Sequence, residues 1–165
     1  MDYSNLAVMA HLMRRAGFGE SREQLEERIV SGYEASVEEL IHPEKAQQVD
    51  LFELFRYQPW AWKPGTVFGM GHASWTYTAL NTQAPLQEKM ALFWHGIFAT
   101  GVSKVDHWDE ITDLIDTFRV NGLGSFKDLL IKVAKNPAMI YWLDNNENHV
   151  DRINENWGRE LLELF

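Results

Sequence analysis

The most concentrated polar chemistry in this 165-residue chain lies near its end. Projected at about 100° per residue, Arg152, Glu155, Asn156, Arg159, Glu160 and Glu163 fall on one half of a helical cylinder, and Ile153, Trp157, Leu161 and Leu164 on the other. Glu155 and Arg159 make a favourable i,i+4 pair. In water this strip is a salt-bridged surface. Covered by further chain, Glu155, Asn156, Arg159 and Glu160 become carboxylates held by arginine, as in acid–base and metal sites. The run Asn154-Glu155-Asn156 favours the covered reading, because Asn forms helices poorly and a surface helix has little reason to prefer it.

His95 is the second candidate. Its helix face carries Ala91, Leu92, Phe98 and Ala99, so its surroundings are apolar. The plain reading is a buried imidazole donating to a carbonyl; the chemical one is a general base or metal ligand. His11, His72 and His149 are the other histidines able to converge with it.

A third pattern is calcium-like. Asp144, Asn146, Asn148 and Glu155 occupy the first, third, fifth and twelfth places of an EF-hand loop and offer hard oxygen ligands. His149 stands where the turn wants glycine, and Asp151 where an apolar residue packs, so a capped loop is favoured over bound calcium or another divalent metal. The carboxylates Asp106, Asp109, Glu110, Asp113 and Asp116 are spaced as a solvated face and receive no chemistry. No P-loop, dinucleotide fingerprint, Gly-x-Ser-x-Gly elbow or His-Glu-x-x-His motif occurs.

The elements that must position these groups read as helices throughout. Leu6, Met9, Met13 and Phe18 follow helical spacing behind the candidate caps Ser4 and Asn5, and Ser21-x-x-Gln24 is a capping box opening the next helix. Residues 58–85 lose periodicity: Pro59, Pro64, Gly65, Gly69 and Gly71 alternate with Trp60, Trp62, Phe68, Trp75 and Tyr77. That stretch reads as a long aromatic loop enclosing at most a short helix, its indoles serving as plugs rather than as a stacking platform. Pro85 opens a helix apolar almost all round, with Leu86, Met90, Phe93, Trp94 and Ile97 in one stripe, which predicts a central position. Trp108, Ile111, Leu114, Ile115 and Phe118 define an amphipathic helix, Ser125-x-x-Asp128 and Asn136-Pro137 start two more, and a last helix spans 154–165. The expected fold is an all-α multi-helix bundle, with residues 1–165 forming one helical domain.

Composition narrows the function. With 24 acidic against 15 basic residues the net charge is −9, which disfavours nucleic acid as a partner. The absence of cysteine removes thiolate metal sites and cysteine nucleophiles. Apolar runs stop well short of the roughly 20 residues a transmembrane helix needs, and no signal peptide is apparent at the start. Glu160-Leu161-Leu162-Glu163-Leu164-Phe165 brings no Gly, Asn or basic residue to its last carbonyls, so the chain is expected to be the N-terminal portion of a larger helical domain whose C-terminal region packs over the strip.

Four blocks carry a family resemblance. They are His11-Leu12-Met13-Arg14-Arg15-Ala16-Gly17-Phe18-Gly19; Glu88-Lys89-Met90-Ala91-Leu92-Phe93-Trp94-His95-Gly96-Ile97-Phe98; Gly124-Ser125-Phe126-Lys127-Asp128-Leu129-Leu130 with Pro137-Ala138-Met139 and Leu143-Asp144-Asn145; and Asn154-Glu155-Asn156-Trp157-Gly158-Arg159-Glu160-Leu161-Leu162-Glu163-Leu164-Phe165. In order and spacing the chain resembles the bacterial family catalogued as domain of unknown function 1800. The resemblance implies a longer parent protein and no established activity. The family's middle block often reads Trp-His-x-His-Phe, whereas the second His is Ile97 here, so no paired-histidine site carries over. Two functions follow as expectations: an enzyme, most plausibly a hydrolase, using Glu155, Asn156, Arg159, Glu160 and His95, or a non-catalytic helical scaffold or partner-binding protein in which the strip is structural.

Overall fold

The computed structural model describes residues 6–56 and 70–165. Among these residues the fold is all-α, with ten helices and no strand. Helices α1 (Leu6–Ala16), α2 (Arg22–Ser31) and α3 (Tyr33–Ile41) precede a short α4 (Phe52–Phe55). After them come α5 (Met70–Asn81), α6 (Pro85–Ile97), α7 (Trp108–Asn121), α8 (Phe126–Lys135), α9 (Pro137–Trp142) and α10 (Asn156–Glu163).

The local start signals act as expected. Ser21 and Gln24 complete a reciprocal capping box on α2, Ser125 accepts from the Asp128 N–H at α8, and Asn136 accepts from the Ala138 N–H ahead of α9. Ser4 and Asn5 lie outside the described residues, as do Pro59, Trp60, Trp62, Pro64, Gly65, Phe68 and Gly69 of the aromatic stretch. The rest of that stretch differs from the loop expectation, because 70–81 is a three-turn helix. Its sequence carries no apolar stripe, so period gives no sign of it; α5 is held instead by tertiary bonds from single residues such as Trp75.

Two apolar clusters organise the bundle. Met9, Met13, Ala16, Leu25 and Leu40 close α1 to α3 into one, with Leu86 packed against it. Ala91, Phe98, Leu114, Phe118, Leu129, Val133 and Met139 form the larger, joining α6, α7, α8 and α9. Helix α6 touches both, which makes it central. It is not apolar all round in its packing, however: Phe93 is 50% exposed, while the carboxylate residue Glu88 is 1% exposed. Phe18, expected inward, is exposed beneath the Lys89 ammonium, 5.2 Å from the ring centre.

Helix α10 is shorter than expected and keeps only part of its expected inward face. Asn154 accepts a hydrogen bond from the Asn156 N–H at 2.8 Å, and the helix begins after this turn. Ile153 and Leu164, expected inward, are 75% and 74% exposed. Trp157, as expected, packs on the main cluster together with Phe165, and Leu161 and Glu160 are half-buried.

Candidate functional site

The end of α6 is fixed by Phe98, whose ring stacks on Phe118 with centroids 6.0 Å apart and meets Phe165 edge-on at 5.0 Å. That anchor leaves His95, one turn earlier, facing α5 and the start of α7. Together with Thr100 it lines a cavity of about 180 Å³, walled by Trp75, Trp108, Ile111 and Ile115 and with His72 alongside. The His95 ring lies 5.5 Å from Trp75 at an interplanar angle of 82°, and 6.3 Å from Phe118. Of the four histidines singled out in the sequence, His72 is the one that converges on His95. His11 is exposed on α1, and His149 pairs by its backbone with Arg152.

Two atoms give this cavity its chemical character. Among the described residues, His95 Nδ1 and Thr100 Oγ1 are buried side-chain atoms without a hydrogen-bond partner. Leaving such groups unpaired costs about 1–3 kcal/mol each, so native folds rarely keep them without a use. Burial lowers the His95 pKa, and the charge of His72 lowers it further. His95 is therefore a neutral imidazole near pH 7, with one ring nitrogen donating and the other free to accept.

The wall opposite His95 is held by a buried ion pair. Trp75 Nε1 donates to Glu88 Oε2 at 3.1 Å, and Arg119 donates to Glu88 through Nε at 2.5 Å and Nη2 at 3.2 Å. Arg119 also pairs with Asp116. Glu88 thus fixes the indole that touches His95. On the neighbouring turns Asp113 accepts from Asn136 Nδ2 at 2.9 Å; Asp113 and Asp116 of the carboxylate face are exposed, as expected, and also make structural bonds.

The polar strip of the last helix forms a separate groove of about 460 Å³, lined by Asp144, Arg152, Asn154, Glu155, Asn156 and Arg159 among others. None of its lining residues is shared with the His95 cavity. Asn154 Nδ2 donates to the carbonyls of Leu143 at 3.1 Å and Asp144 at 2.7 Å, and Asn156 Nδ2 donates to Leu143 at 3.1 Å. These asparagines clamp the chain leaving α9, which explains their presence beside a helix that otherwise does not favour them. Arg159, 56% exposed at its side chain, reaches Glu160 at 3.1 Å and Asn156 at 3.3 Å.

The calcium-like residues divide in the same way. Asp144 sits at φ 58° and binds the Lys104 ammonium at 2.8 Å, Asn148 Oδ1 accepts from the Asn154 N–H at 3.2 Å, and Asn146 lies in a short 3-10 turn. Glu155 is exposed in the groove. Among the described residues no group of three or more His, Asp or Glu is placed to hold a metal ion.

With this geometry in place, comparison with known proteins is informative at the level of family. The model for the protein of unknown function DUF1800 matches residues 11–165. The chain belongs to the DUF1800 family. It matches no curated protein and no solved structure.

In this DUF1800 chain the block 88–98 carries the buried Glu88, Ala91 and Phe98 together with the half-buried His95, while Leu92 and Phe93 of the same block are exposed. Glu88, Arg119, Thr100 and Trp108 were not legible as site residues. The available signal was Glu88 itself, a carboxylate one turn from Leu92 and Ala91 in a largely apolar helix. The groove and the cavity lie among helices none of which is long and apolar enough to cross a membrane.

Proposed function

We propose that this DUF1800 chain carries a small-molecule site of an enzyme, and that His95 acts there as a general base. The observation that carries the reading is that His95 and Thr100, each with an unpartnered buried side-chain atom, line one aromatic-walled cavity. A neutral imidazole accepts a proton from a hydroxyl held within hydrogen-bond reach, and the low pKa of His95 keeps it in that form at neutral pH. Hydrolysis is the reaction class in which the hydroxyl belongs to water. Arg159, Glu155, Asn156 and Glu160 then serve apart from the proton transfer, at the groove along α10.

The scaffold reading is favoured for that groove by a specific observation, the three amide-to-carbonyl bonds through which Asn154 and Asn156 hold Leu143 and Asp144. The test uses a neutral ester of suitable size, phenyl acetate. Turnover that is lost in His95→Gln and kept in Arg159→Ala supports the proposal. Turnover indifferent to His95→Gln, or none above buffer with the intact chain, overturns it.

A further inference from the structure

Resting on the reading of the His95 cavity as the ligand site, we infer that its ligand presents one uncharged planar ring bearing a hydroxyl. Three features of the cavity select that class.

The first is size. About 180 Å³ is close to the roughly 150 Å³ of an engineered apolar cavity that accepts benzene, so one ring fits and a fused or long ligand does not. The second is the wall. The indoles of Trp75 and Trp108 with Ile111 and Ile115 offer flat, apolar surface. Trp75 is anchored by its N–H on Glu88, so the wall is set before a ligand arrives. The third is polarity. No carboxylate, lysine or arginine lines the cavity among the described residues and His72 is solvent-exposed, so a charged ligand would lose its hydration without gaining a buried counter-ion. His95 and Thr100, which line it, each carry one buried, unpaired polar atom: His95 Nδ1, able to accept, and Thr100 Oγ1, able to donate or accept. A ring hydroxyl can donate to the first and accept from the second once a small turn of either side chain opens these atoms to the cavity.

A ring hydroxyl also gives His95 a proton to take, which links the ligand class to the proposed chemistry. An apolar ring without oxygen would fill the volume and leave both atoms unpaired. A ring carboxylate would bring a full charge to walls whose ionisable side chains among the described residues are two histidines, of which His72 is solvent-exposed.

The experiment follows the imidazole nitrogens by NMR in the full chain carrying ¹⁵N-labelled histidine, during titration with phenol, benzene and benzoate. Phenol is expected to shift the His95 Nδ1 resonance and to bind about tenfold or more tightly than either other probe, the worth of one to two hydrogen bonds. Thr100→Val should weaken phenol several-fold and leave benzene unchanged, and Thr100→Ser, which keeps the hydroxyl, should restore phenol. Benzene binding as well as phenol, or benzoate binding best, overturns the ligand class while leaving His95 as a site. A His95 resonance unmoved by all three probes overturns both the ligand class and the site.

Discussion

The indole of Trp75 stands edge-on to the imidazole of His95, with centroids 5.5 Å apart, and hands its own N–H to the carboxylate of Glu88 at 3.1 Å. A single side chain from α5 thereby couples a buried charge to the candidate base. The charge is held in turn by Arg119 from α7, so three helices meet at this point.

Removing Arg119 strands that charge. Glu88 is 1% exposed, so Arg119→Ala leaves a carboxylate in low dielectric and should cost about 3–5 kcal/mol by denaturant midpoint. Trp75→Phe keeps the ring and loses one donor to Glu88, and its expected cost is smaller, about 1–2 kcal/mol. Equal costs for the two variants would contradict the assignment of Arg119 as the main partner.

Stability should depend on pH through His95. Its folded pKa lies below the ordinary value of 6.5, because burial and then His72 disfavour the cation. Below 6.5 the unfolded chain therefore binds more protons than the folded one, and stability falls as pH is lowered from 6.5 towards the folded value. Above 6.5 both forms are neutral and the contribution is flat. His95→Gln should remove this part of the slope in melts recorded between about pH 5 and 7; a slope unchanged by the substitution would assign it to other groups.

Thr100→Val exchanges an unpaired buried hydroxyl for a methyl of the same shape. The expected result is a gain of roughly 1 kcal/mol in the unliganded chain, since the desolvation cost disappears and no hydrogen bond is lost. A loss above about 1 kcal/mol would mean that Oγ1 is bonded in the fold.

The groove along α10 should respond in the opposite order to its charges. Arg159→Ala removes an exposed ion pair and should cost under about 1 kcal/mol, with Arg159→Lys close to neutral. Asn154→Ala removes two amide-to-carbonyl bonds and the turn that starts α10, for a cost of about 2–3 kcal/mol. Urea midpoints for the three variants provide the comparison, and an Arg159→Ala loss exceeding that of Asn154→Ala would reinstate Arg159 as the organising residue.

The sequence by itself determined what depends on neighbours within one helical turn. The Ser21–Gln24 capping box, the caps at Ser125 and Asn136, the apolar stripes of α7 and α8 and the all-α class are local consequences of side-chain spacing, and they hold. The family resemblance carried by blocks such as 88–98 was legible for the same reason. Tertiary structure decided the rest. Helix α5 has no apolar stripe and is tied down through Trp75, thirteen residues from its partner Glu88. The late start of α10 comes with Asn154 and Asn156 bonding a carbonyl more than ten residues back, which leaves Ile153 outside the helix and exposed. Glu88 meets Arg119 across 31 positions, and His95 meets Thr100, His72 and two indoles only once three helices close around them. Periodicity reports which face of a helix avoids water, whereas a buried charge or an unpaired hydroxyl depends on what the facing helix brings, and that information is not local.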